Sequence, residues 1–191
     1  MGLTGGIGAG KSEALAALAR LGAATLSTDA VVHELYQDPE VREAVVARWG
    51  AEVAPGGAVD RAAIARHAFA SPDERAWLEG LLWPRVGARV QAWRAEAGAS
   101  GPRALVVETP LLFEAGMEKV YDATIVVIAD EAIRAERAAA RGHAAVDERI
   151  ARQLSQEEKA ARADHIVRND RDIRALEKEL SGVLEKLERS A

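Results

Sequence analysis

Cysteine is absent from the 191-residue chain, which excludes disulfide bonds, thiolate catalysis and cysteine-ligated zinc. Histidine is scarce, and His33, His67, His143 and His165 are too scattered to form a metal-ligand pattern. There is no excess of positive charge: 25 Lys and Arg stand against 30 Asp and Glu, a net charge of −5, which weighs against a dedicated nucleic-acid binder. Long hydrophobic runs are also missing. The strongest, Ala123 to Ala129, has the length of a strand and not of a bilayer span. The N-terminus carries no basic stretch followed by an apolar run, so no signal peptide is expected and a cytoplasmic location is. No internal repeat or low-complexity tail occurs. The length suits one compact domain with insertions.

Against these absences stands the run Gly5-Gly6-Ile7-Gly8-Ala9-Gly10-Lys11-Ser12. It is a G-x-x-x-x-G-K-S loop, in which glycines let backbone N–H groups turn around the phosphates of a nucleoside triphosphate. Lys11 supplies a cation for the β- and γ-phosphates, and the Ser12 hydroxyl is a ligand for Mg²⁺. Ala14, Leu15, Leu18, Ala19 and Leu21 follow at helical spacing, so the loop opens a helix whose N-terminal dipole favours anions. The nucleotide-binding set is therefore Gly8, Ala9, Gly10, Lys11, Ser12 and Glu13.

Further short β-type runs follow: Ala23 to Leu26, Ala104 to Val107, Thr124 to Ile128, and a weaker one, His165 to Arg168. Non-alternating strands separated by helices predict an α/β fold with a parallel sheet. Ligands of such sheets sit beyond the carboxyl ends of the strands, where Asp29 and Glu108 fall. Asp29 has two readings: a base that deprotonates an acceptor hydroxyl, or the N-cap of a helix starting at Ala30. Glu108 also has two, a carboxylate that helps hold Mg²⁺ through water or one bonded to the loop at the sheet's end.

Residues 32–101 read as helix only. Ser71-Pro72-Asp73-Glu74 is a capping box with Pro at the first helical position, followed by an apolar stripe of Leu78, Leu82, Val86, Val90 and Trp93 and a kink expected at Pro84. Trp77, Trp83 and Trp93 either pack this block's core or form an aromatic wall for a ligand. Residues 131–162 are helical and charge-dense, with Arg134, Arg137, Arg141, Arg149 and Arg152, and with a second capping box at Ser155 to Glu158. That segment reads either as a solvated helix pair or as an arginine-bearing lid over the phosphates. Ile173, Leu176, Leu180, Val183, Leu184 and Leu187 form a core-packing stripe on the last helix.

A regulatory GTPase would need D-x-x-G after a strand and an N-K-x-D reader, and neither is present. A helical insertion for an acceptor and an arginine-bearing lid suit a small-molecule kinase, because water must be excluded during transfer.

Taken in order, the motifs resemble those of the dephospho-CoA kinases. Gly2-Leu3-Thr4 with the loop, Thr28-Asp29-Ala30, Val59-Asp60-Arg61, Ala68-Phe69, Leu78-Glu79 and Pro84 are similar to the family's pattern, as is Glu108-Thr109-Pro110-Leu111-Leu112-Phe113-Glu114. So are Arg137, Arg141, Arg149-Ile150, Gln153 and Ala163-Asp164-His165-Ile166-Val167-Arg168-Asn169. Ser27 and Trp83 depart from it, standing where Asp and His are usual, and the strand before the loop is shorter than in most members.

The resemblance implies a P-loop NTPase fold of three layers with a five-stranded parallel sheet. The core would be 1–31, 102–131 and 163–191, with a helical acceptor domain at 32–101 and a lid at 132–162. It further implies transfer of the ATP γ-phosphate to the ribose 3′-hydroxyl of dephospho-CoA. In that reading Asp29 is the base, Arg141 and Arg137 cover the phosphoryl group, and Ser12 and Glu108 hold Mg²⁺. The substrates would be ATP and dephospho-CoA, with neither nucleic acid nor membrane as partner, and the protein a monomer. The alternatives are another small-molecule kinase, acting on a nucleoside or nucleoside monophosphate, and a non-enzymatic nucleotide-dependent binding module.

Overall fold

Five short strands form an all-parallel sheet in a computed structural model that describes residues 1–140 and 153–189. They are β1 (Gly2–Gly5), β2 (Ala24–Ser27), β3 (Leu105–Glu108), β4 (Thr124–Ile128) and β5 (His165–Arg168). Their order is β2-β3-β1-β4-β5, so the strand that feeds the glycine loop is central. Leu3 registers with Ile125 on one side and Glu108 on the other. Each predicted strand is present, within a residue of its expected position.

The chain divides into two units, Met1–Ser27 with Arg94–Ala191 and Thr28–Trp93. In the first, α1 (Lys11–Arg20) and α8 (Ile173–Glu188) cover one face of the sheet. Ala14, Ala17 and Leu18 of α1 and Leu176, Leu180, Val183 and Leu184 of α8 are buried with Leu3, Val106, Ile125, Val127 and Val167. The predicted stripe of the last helix is thus core, with Ile173 left partly exposed at its start. Arg20 fastens the two helices at the surface through Glu177, at 2.6 Å. At the starts of β4 and β5, the Asp164 carboxylate accepts from Thr124 N at 2.8 Å and Oγ1 at 2.7 Å, and these donors hold its pKa below the usual value. Also in this unit are α6 (Glu131–Ala140) and α7 (Gln156–Arg162).

The second unit is helical: α2 (Thr28–Leu35), α3 (Pro39–Trp49), α4 (Arg61–Ala68) and the greater part of α5 (Pro72–Gly98). Its small core consists of Val45, Val53, Ala63 and Ile64, with Tyr36, Trp49, Trp77 and Leu78 packed against it. Burial pushes the Tyr36 phenol up to about 12. Trp49 meets Trp77 edge-on at 5.0 Å between centroids and stacks on His67 at 5.5 Å. Trp77 therefore serves the core, whereas Trp83 is 56% exposed. Of the apolar stripe on α5, only Leu82 is buried.

Two cap expectations turn out differently. At Ser155 the capping box is complete, with Ser155 Oγ accepting from Glu158 N and Glu158 accepting from Ser155 N. At Ser71 only one half forms, Ser71 Oγ accepting from Glu74 N at 3.2 Å. The Glu74 carboxylate instead takes Arg48 through two nitrogens, at 3.0 and 2.7 Å, and the Trp49 indole at 2.6 Å. A bidentate arginine outcompetes one backbone N–H. The helix also runs on through Pro84, and Arg85 donates to Leu81 O at 2.8 Å beside the carbonyl that proline leaves without a donor. Among the described residues no helix is long and apolar enough to cross a membrane.

Candidate active site

The glycine loop leaves the carboxyl end of β1 and turns directly into α1. Gly8 and Gly10 adopt φ of 77° and 92°, a region that costs any other residue energy. Space is a second constraint: a Cβ at Gly8 would run into the backbone of Arg134, and one at Gly10 into the Asn169 side chain. Ala9 N closes the turn on Gly6 O at 3.2 Å. Lys11 folds back over it, its Nζ donating to Gly5 O at 3.0 Å and Gly6 O at 3.2 Å. The first backbone N–H groups of α1, from Lys11, Ser12 and Glu13, lack intrahelical acceptors by the geometry of a helix start. Together these make a concave, positively polarised turn suited to phosphate. The Glu13 side chain is exposed and lies 3.8 Å from Arg20, so only its backbone can serve the turn.

Glu108 ends β3, next to β1, and is 5% exposed. Among the described residues no hydrogen bond from the loop to its carboxylate is seen. The segment after it is firmly tied. Thr109 N donates to Leu3 O at 2.9 Å, and Pro110 O accepts from Thr4 Oγ1 at 3.2 Å and Lys159 Nζ at 2.9 Å. Lys159 is fully buried and also pairs with Glu114 at 2.9 Å. Burial lowers its pKa, and Glu114 opposes that shift. Glu114 Oε1 further accepts from Leu154 N at 2.9 Å, while Gln156 exchanges two hydrogen bonds with the Ala129 backbone. The residues entering α7 are thereby held against the ends of β3 and β4.

Two arginines of α6 approach the loop. Arg134 Nε donates to Ile7 O at 3.0 Å and its guanidinium pairs with Glu131 at 2.6 Å. Arg137 donates to Asn169 O at 3.0 Å. Arg141, Arg149, Ile150 and Arg152 lie outside the described residues, as does the middle of the segment read as a lid, 141–152.

Asp29 stands two residues past the end of β2, in the first turn of α2, and is exposed. The helix begins at Thr28 and not at Ala30, so Asp29 is not its N-cap, and no donor among the described residues reaches its carboxylate. The sheet order also places β3 between β2 and β1, so the strand leading to Asp29 is an edge strand one place removed from the loop's own.

Lys11, Ser12, Glu108 and Arg137 are therefore gathered at one end of the first unit. Arg134 and Asn169, which touch the loop directly, escaped assignment, although Arg134 lies three residues before Arg137 and Asn169 ends the last predicted strand. A cavity of about 540 Å³ lies at the opposite ends of the strands, against Leu105, Ala123 and Leu187, away from the loop.

Residues 1–175 match the family model described as dephospho-CoA kinase. A Deinococcus radiodurans protein named dephospho-CoA kinase is 41% identical over 191 residues, covering 98% of this chain and 92% of its own. Among solved structures, a Thermus thermophilus protein superposes with a TM-score of 0.80 at 33% identity, covering 97% of this chain and 96% of the other. The dephospho-CoA kinase of Campylobacter jejuni shares the fold, with a TM-score of 0.70 at 21% identity over 99% of this chain and 96% of its own.

Proposed function

The chain belongs to the dephospho-CoA kinase family and is an ATP-dependent kinase that phosphorylates dephospho-CoA in coenzyme A synthesis, and we propose that the residues at the glycine loop, with Asp29, carry that transfer. The observation that carries the assignment of roles is the loop itself. Its positive-φ glycines open onto the free N–H groups of α1, with Lys11 folded over the turn. Backbone N–H groups of residues 8–13 hold the phosphates of ATP, and Lys11 swings from Gly5 O and Gly6 O onto the β- and γ-phosphates.

A magnesium ion fits the residues present. Glu108 is a buried carboxylate without a hydrogen-bond donor, the Ser12 hydroxyl is exposed beside the loop, and no larger acidic cluster occurs among the described residues. That set suits a cation held mostly by phosphates and water. Ser12 would ligate it directly and Glu108 through water, and when bound the ion offsets charge on the phosphate oxygens. Replacing Glu108 with Gln keeps the shape and removes the charge. The Mg²⁺ concentration for half-maximal rate should then rise by about tenfold. An unchanged Mg²⁺ requirement removes Glu108 from the metal site.

The acceptor is the 3′-hydroxyl of the ribose. Asp29 takes its proton as the oxygen attacks the γ-phosphorus in line; the new O–P bond forms, the bond to the β-phosphate oxygen breaks, and ADP leaves. Arg137 and Arg141 offset charge on the moving phosphoryl group. We assign residues 1–31, 102–131 and 163–191 to the nucleotide core, 32–101 to the acceptor domain and 132–162 to the lid. We assign the protein as a monomer without a nucleic-acid or membrane partner; the net charge of −5 argues against a nucleic-acid partner. The use of ATP supports the cytoplasm.

A coupled ADP-release assay over a panel of acceptors tests the reading. Dephospho-CoA should be turned over, while its 3′-deoxy analogue should bind and inhibit without being phosphorylated. Faster phosphorylation of adenosine or a nucleoside monophosphate would overturn the acceptor assignment.

A further inference from the structure

The outer side of the phosphate loop is held at two carbonyls. Arg134 Nε donates to Ile7 O and Asn169 Nδ2 to Ala9 O, each at 3.0 Å. Both donors are themselves fixed. The Arg134 side chain is 18% exposed and paired with Glu131. Asn169 is 5% exposed, its N donating to Ile128 O at 2.9 Å and its O accepting from Arg137 at 3.0 Å.

A peptide unit is planar, and in the trans form its C=O and N–H point in opposite directions. No peptide among the described residues is cis. Holding the Ile7 carbonyl against Arg134 therefore turns the Gly8 N–H to the other side of the loop, and holding the Ala9 carbonyl against Asn169 does the same for the Gly10 N–H. Neither N–H has an acceptor among the described residues. Without these anchors a glycine peptide flips at little cost, since glycine accepts φ of either sign. A flipped peptide would aim a carbonyl oxygen at an anion.

We propose that Arg134 and Asn169 are positioning residues that set the peptide orientation of the anion cradle, aiming the Gly8 and Gly10 N–H groups at the phosphates before nucleotide arrives. The inference rests on the reading of this loop as a phosphate cradle. It makes the role of Arg134 that of a donor to a carbonyl and not that of a charge.

The test uses the full chain labelled with ¹⁵N, with Mg·ADP as probe. In the wild type the Gly8 and Gly10 amide resonances should both shift on binding. Arg134→Met should abolish the response of Gly8 and spare Gly10, and Asn169→Ala should do the reverse. For each variant the KM for ATP should rise about 10- to 100-fold, the effect of losing one hydrogen bond to a charged group, with the acceptor's KM little changed. Arg134→Gln keeps a donor for Ile7 O without the charge and should recover most of the loss. The inference is overturned if both amides still respond in both variants and the KM for ATP stays within about twofold. It is equally overturned if Arg134→Gln is as impaired as Arg134→Met, or if a variant loses melting temperature alone. If neither wild-type amide responds to Mg·ADP, the cradle reading fails as well, and that outcome is distinct from the others.

Discussion

Replacing Lys11 with Ala is expected to lower kcat by on the order of 10³-fold while leaving the fold in place. The side chain crosses the mouth of the loop and reaches Gly5 O and Gly6 O, and it contributes nothing to the apolar core of the first unit. Its loss therefore costs little packing. What disappears is the loop's own lysine cation, placed where charge shifts from the γ-phosphoryl group to the β-phosphate oxygen during transfer. Interactions made mainly in the transition state lower kcat and kcat/KM together, and that pattern separates this role from simple ATP affinity. Steady-state kinetics with ATP and dephospho-CoA, alongside a melting curve, supply the check. Retention of more than about a tenth of the wild-type kcat would remove Lys11 from the transfer step.

The parts of this picture that a reader of the sequence can see are those encoded locally. The strands lie within a residue of their short β-type runs, and β3 and β4 are largely buried, where a parallel strand needs only apolar residues of the right length. The glycine loop is equally legible, since its spacing has few other uses. Strand order is not local. Nothing in Ala23 to Leu26 shows that β3 separates β2 from β1 and makes β2 an edge strand. Charged groups that find distant partners are hidden for the same reason. Glu74 was read as half of a capping box, but Arg48 and Trp49, from another helix, claim its carboxylate. Lys159 looks like a surface residue of a charged helix, yet it is buried on Pro110 O and Glu114. Arg134 and Asn169 are the same case at the site itself, since each is recognisable only once the sheet brings residues from the two ends of the chain together.

Asp29→Asn is expected to reduce kcat by about 10²-fold or more, with the KM for ATP little altered. The structure sharpens this test, because it leaves no capping role to confuse it. The helix begins before Asp29, whose exposed carboxylate meets no donor among the described residues. Removing a negative charge from the first turn of a helix costs only about 0.3–1 kcal/mol through the dipole, so melting should scarcely move. Phosphoryl transfer passes through a loose transition state, in which a carboxylate can act by orienting the hydroxyl as well as by taking its proton. Asn can still accept a hydrogen bond from that hydroxyl, whereas Ala cannot. A base predicts that Asn and Ala are impaired alike. An orienting group predicts an Asn variant well above the Ala variant. Wild-type kcat in Asp29→Asn would exclude both roles and leave the proton of the acceptor hydroxyl to solvent or to the γ-phosphate oxygens themselves.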